Sequence, residues 1–242
     1  MSKVNTDAIK ARDTGLDITL GATGDTTVIS ANSINTNTIQ DSGGNTLFQS
    51  NGSGTLSNVN AAIAGAGPKL ILSQTADGST SISFTSDIDS TYDEYMFVFV
   101  NVNPATNNVD FTFQVSIDGG SNYNRTMTTS YFHAYNNEAD TQTSLDYQAA
   151  NDQAAGSSYQ ILCDGQDSTA DLNSGGVLHL YNPSNTTYVK NFYSRTNSNH
   201  INDYCYDAFI AGYINETSAI NAISFKMSSG NFDGIIKMYG VA

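Results

Sequence analysis

Residues 109–117, VDFTFQVSI, alternate with a period of two: Val109, Phe111, Phe113, Val115 and Ile117 fall on one side, Asp110, Thr112, Gln114 and Ser116 on the other. On a helix those apolar side chains would scatter around the cylinder; on a strand they share one face. The segment is therefore a half-buried strand, closed by the turn residues DGGSN. A strand with one apolar face needs a second apolar layer to cover it, so the rest of the chain has to supply one.

The same grammar runs to the end of the sequence. EYMFVFVNV (94–102) is apolar on both faces, which predicts a central strand covered from both sides. The turn NPAT follows it, with Pro104 outside any ladder. Further strands are expected at KLILS (69–73), SISFT (81–85), SYQILC (158–163), GVLHLY (176–181), TYVKNFYSR (187–195), DAFIAGYI (207–214), AISFKMS (222–228) and GIIKMYGV (234–241). About ten strands with regular turns predict an all-β fold, a jelly-roll-like antiparallel β-sandwich over residues 68–242. No helix longer than two turns fits this region. The polar stretch 134–156 is too long for a hairpin and is expected as a large loop, or a loop carrying a short helix at LDYQAAND (145–152).

Residues 1–67 are of another kind. The first 83 residues hold a single aromatic, Phe48, and all 14 Tyr lie from Tyr92 onward. The early runs LDITL (16–20), TTVIS (26–30), SINTNTIQ (33–40) and NTLFQ (45–49) are short and separated by GATGD, DSGGN and SNGSG. Strands so poor in apolar side chains bury little within one chain and call for a partner surface, as in a stalk or an attachment segment. SNVNAAIAGAG (57–67) reads as the linker, with Gly67 and Pro68 stopping any helical turn.

Composition narrows the function. Asn, Ser and Thr account for 81 of 242 residues while charged residues are only 13%, so the surface is coated with neutral hydrogen-bonding groups. The net charge of −14, made largely by Asp, leaves no basic stripe to neutralise phosphates and argues against nucleic-acid binding. No stretch is apolar enough to predict a membrane span, and MSKVNTDAIKARD lacks a secretory apolar core, which predicts synthesis and folding in a cytosol. The sequons at Asn51, Asn124, Asn185 and Asn215 are then incidental. Cys163 and Cys205 do not form a disulfide framework and are expected as free thiols.

Candidate chemistry is sparse, and a non-enzymatic protein is expected. His133, His179 and His200 neighbour no nucleophile motif, and G-x-S-x-G is missing. Glu is limited to Glu94, Glu138 and Glu216, and most Asp sit in turn contexts, which disfavours a glycosidase pair. Asp87, Asp89, Asp93 and Glu94 offer oxygen ligands for Ca²⁺ at short spacing, but lack the EF-hand pattern and fit a solvated turn better. No cofactor is expected. For contact with a receptor or glycan, the best patch is Tyr131, His133 and Tyr135 with the following Asn136 and Asn137; the competing reading is an aromatic strand packed in the core or at a subunit interface.

With the strands placed, STYDEYMFVFVNVNPATNNVDFTFQVSIDGGSNY, GGVLHLYNPSNTTYVKNFYSR and the closing INAISFKMSSGNFDGIIKMYGVA together resemble the C-terminal β-sandwich of bacteriophage tail-fibre and virion structural proteins. The shared features are a Tyr-rich strand entry, a P-A-T turn, an S-x-D-G-G-x-x-Y hairpin and a last strand ending in Tyr-Gly-hydrophobic. ANSINTNTIQDSGGNTLFQSNGSGTLS is similar to low-complexity N-terminal segments of marine phage structural proteins. The resemblance implies a virion location, a homo-oligomer of trimeric form, and a role as tail fibre, head fibre or capsid decoration protein. Residues 1–67 would then meet other virion proteins while the sandwich faces a host-surface glycan or protein. It carries over no catalytic residue. A stand-alone carbohydrate-binding adhesin module is the alternative.

Overall fold

The computed structural model describes residues 38–41, 43–50, 53, 56, 57, 59 and 67–241. LDITL, TTVIS and most of the proposed linker lie outside them. The chain divides into two compact units, 1–65 and 66–242.

In the first unit, β1 (Thr38–Gln40), β2 (Thr46–Ser50) and β3 (Leu56–Ser57) form a three-stranded antiparallel sheet. Asp41 closes the first turn: its Oδ1 accepts from the backbone N–H of Gly43 and of Asn45, both at 2.9 Å. Those bonds, with the Asn45 side chain first, hold its carboxyl below the usual range. None of the side chains described in this unit is buried, and Leu56 is 56% exposed.

The second unit is all antiparallel. One layer has eight strands, in the spatial order β4 (Lys69–Ser79), β15 (Phe232–Val241), β6 (Glu94–Pro104), β11 (Ser174–Tyr181), β12 (Lys190–His200), β13 (Tyr204–Ile214), β8 (Met127–Asn137) and β9 (Thr143–Tyr147). The other has four, β10 (Gln160–Gln166), β7 (Val109–Ser116), β14 (Ala222–Met227) and β5 (Ile82–Phe84). The layers are joined where β10 meets β12 at the single pair Gln166–His200. Gly165 makes that junction possible. It sits at φ +54, where glycine is favoured, and a Cβ there would stand 2.3 Å from Nε2 of His200, so a larger residue would have to displace that ring. The chain passes repeatedly from one layer to the other, which gives the sandwich its jelly-roll character.

The core lies between the layers and is built on phenylalanine. Phe225 of β14 contacts five rings, Phe84, Phe97, Phe99, Phe111 and Phe113, with centroids 5.2–6.4 Å apart. Phe99 of β6 meets Phe111 of β7 edge to face at 5.2 Å, and Phe113 meets Phe192 of β12 at 5.0 Å, so the contacts cross the gap between sheets. The alternation of residues 109–117 is realised only in part. Val109, Phe111, Phe113 and Val115 are buried and Ile117 is half-buried, but Thr112, Gln114 and Ser116 are buried too, the backbone of Arg125, Ser157 and Ser158 lying against Gln114. Gln114 uses its burial: its Nε2 donates to the carbonyls of Arg125 and Ser158, each at 3.0 Å.

Three expectations need correction. Pro104 does not lie outside the ladder but ends β6, paired with Phe232 of β15. Residues 145–152 are not helical: β8 and β9 form a hairpin, Tyr147 ends β9, and only then does a turn begin. Gln160, fully buried, anchors the loop that follows by donating to the carbonyl of Asn151 at 2.9 Å. Strand β6 is central, flanked by β15 and β11, but is buried on one face only. Tyr95, Phe97, Phe99 and Val102 point inward, while Met96, Val98 and Val100 remain half-buried on the other side.

Candidate interaction surface

The outward face of the eight-stranded layer is where this unit keeps apolar side chains that its own core does not use. Strand register aligns them in rows. One row crosses the whole layer from Ser73 through Lys237, Val98, Val177, Arg195, Phe209 and Phe132 to Tyr147. The next runs from Leu70 through Tyr239, Met96, His179, Tyr193 and Ala211 to Ser130. Phe132 is 39% exposed, Tyr193 42% and Tyr147 57%.

The rings on this face stack on one another. Phe132 and Phe209 are nearly parallel, 3° apart with centroids at 4.9 Å, and Arg195 covers the Phe209 ring at 4.8 Å. His179 and Tyr193 are stacked at 4.5 Å and 14°. These spacings equal the ~4.8 Å between neighbouring strands, so the rings stand upright on the sheet, with faces turned to each other and edges to the outside. The charges are paired in the same way. Arg195 makes a two-pronged contact with Asp207, Nε to Oδ1 at 3.0 Å and Nη2 to Oδ2 at 2.7 Å, which raises the guanidinium pKa. Glu94 meets Nδ1 of His179. Burial, with Tyr193 and Glu94 nearby, pushes the Tyr181 hydroxyl up to about 12. A shallow cavity of about 230 Å³ opens among Phe132, Tyr193, Arg195 and Phe209.

The patch expected from sequence is divided by the strand it sits on. Tyr131, His133 and Tyr135 point to the inner side of β8, whereas Asn136 is exposed. Tyr131 is fully buried and donates from its hydroxyl to Asp164 Oδ1 at 3.0 Å; burial drives its pKa upward. His133, 2% exposed, lies against Tyr206 and Gln148, its Nε2 3.1 Å from the hydroxyl of one and the amide nitrogen of the other. Burial lowers the pKa of His133 and of His200. Tyr135 stacks on Tyr204 at 4.7 Å and on Tyr206 at 5.6 Å. Tyr131 and His133 are thus core residues, not contact residues, because alternation turns them towards the layer interior. Asn137 serves the hairpin, its Oδ1 accepting from the N–H of Thr141 at 2.8 Å and of Gln142 at 2.9 Å. Asn136 and Asn137 do line a rim cavity of about 190 Å³ with Glu138, Asn199, His200 and Tyr204.

The residues that sequence reasoning missed are Phe132 and Phe209. A signal existed in YFHAY, where aromatics occupy both parities of one strand, so one of them has to face outward. The four carboxylates considered for Ca²⁺ do not converge. Asp89 Oδ1 accepts from Thr91 N–H at 2.8 Å, Asp87 takes the Ser86 hydroxyl, and Glu94 turns to His179. Among the described residues no group of three or more His, Cys, Asp or Glu is placed to hold a metal. Cys163 is buried and Cys205 exposed, both as free thiols. Compared with protein-family models, with curated proteins and with solved structures, the chain matches none of them.

Proposed function

We propose that this chain is a non-enzymatic structural subunit of a bacteriophage virion, a homo-oligomeric appendage such as a tail fibre or head fibre. The observation that carries the reading is the contrast between its two units. The first is a short-stranded sheet whose described side chains are all at least partly exposed, suited to attachment onto other virion proteins. The second is a phenylalanine-cored sandwich able to stand as a head. A capsid decoration protein would use the same two parts.

Host contact falls to the rim of the sandwich, where Asn136, Asn199 and Glu138 surround the smaller cavity with hydrogen-bonding groups. With a net charge of −14, the chain would be repelled by anionic envelopes, so recognition there relies on shape and neutral hydrogen bonds. The same rim would serve a stand-alone carbohydrate-binding module. Immunogold microscopy of purified particles tests the choice: label at a regular position on intact virions is expected, and particles that lack the protein altogether would sink the virion reading.

A further inference from the structure

We infer that the outward face of the eight-stranded layer is the surface on which copies of this chain bury themselves against one another. The inference rests on the reading of the chain as an assembly subunit and adds where the subunits meet.

Area is the first argument. Eight strands at ~4.8 Å spacing, most of them eight to eleven residues long at ~3.3 Å per residue, span roughly 1,200 Å². A specific interface needs about 800 Å² from each partner, so the face is large enough without help. Charge is the second. The two rows and their flanks carry Lys237 and Arg195 against Glu94 and Asp207, two charges of each sign, and Arg195 with Asp207 and Glu94 with His179 are already paired within the sheet. The chain as a whole carries −14, so this is a face that two copies can bring together without mutual repulsion.

Ring geometry chooses between a protein and a sugar. Pyranose rings bind aromatic side chains by lying on their faces. Here Phe209 is covered on both sides, by Phe132 and by Arg195, and Phe132, His179 and Tyr193 each give one face to a neighbouring ring. What remains outward are ring edges and aliphatic side chains such as Val98 and Val177, which pack against a surface of the same kind.

The test uses the full chain in sedimentation velocity over a concentration series. Wild type is expected to associate, and Phe132→Glu combined with Tyr193→Glu to weaken association on the order of 30-fold, as loss of a central aromatic anchor does. Tyr188→Glu, at a site 71% exposed in the loop before β12, is expected to associate as wild type does. Circular dichroism confirms that each variant folds. Hydroxyl-radical footprinting of wild type alone provides a readout independent of any substitution: Phe132, Tyr147 and Tyr193 should become protected as concentration rises. A folded double variant that assembles normally, or a wild-type oligomer with these residues unprotected, overturns the inference and leaves the assembly reading intact. A wild type that stays monomeric overturns both. Protection of a monomer by added neutral polysaccharide assigns the face to sugar and overturns the inference in that way.

Discussion

The two faces of the eight-stranded layer use the same kinds of residue in opposite ways. On the inner face Phe97, Phe99 and Phe192 meet rings from the other layer, mostly edge to face, and are almost wholly removed from water. On the outer face Phe132, Phe209, His179 and Tyr193 meet only their neighbours on adjacent strands, in parallel stacks. The difference teaches that aromatic content alone does not mark a core. What marks it is whether a second layer is present, because a ring with no opposing layer can recover contact only sideways along its own sheet.

The sharpest way to break this comparison is Phe225→Ala. Because that ring touches five others, its loss should cost about 3–5 kcal/mol, read as a lowered urea midpoint. A loss near zero would mean that the layers are not packed through this ring. Phe132→Ala should cost far less, about 0.5–1 kcal/mol, since it gives up one stack and little burial. If it matched Phe225→Ala under conditions where the chain is monomeric, the outer face would be part of the core.

The smallest effect is a pH dependence that begins on the inner side. Burial holds His133 and His200 below 6.5, so at falling pH the unfolded chain takes up protons that the folded chain refuses. Their contribution is complete above about 6.5 and declines as acid is added below it. A second decline belongs to Asp118. Its hydrogen bonds, with Asn122 first and Ser116 next, lower its pKa to about 2, so its contribution is present above 3.8 and lost from there down to about 2. Urea midpoints that do not fall between pH 7.5 and pH 5 would remove the buried histidines from the account. The same series on a His200→Asn variant should show a shallower decline.

How much of this was legible in the sequence differs strand by strand. The runs around β6, β7, β11, β13, β14 and β15 announce themselves because their buried side is large and apolar. The β8–β9 hairpin does not. β8 places Thr129, Tyr131 and His133 inside and Phe132 outside, while β9 leaves both Leu145 and Tyr147 exposed, so neither strand shows an apolar side and a polar side. Pairing with β13, residue for residue from Met127–Ile214 to Asn137–Tyr204, is what makes β8 a strand.

By itself, then, the amino-acid order determined that the second unit is built of antiparallel strands, since period-two runs and turn residues act within a few neighbours. The tertiary structure decided which parity of β8 faces water, and so exchanged Tyr131 and His133 for Phe132. A one-residue choice of face has no local signature in a strand with aromatics on both sides. It is settled only by register against β13 and by how far the four-stranded layer reaches across the eight.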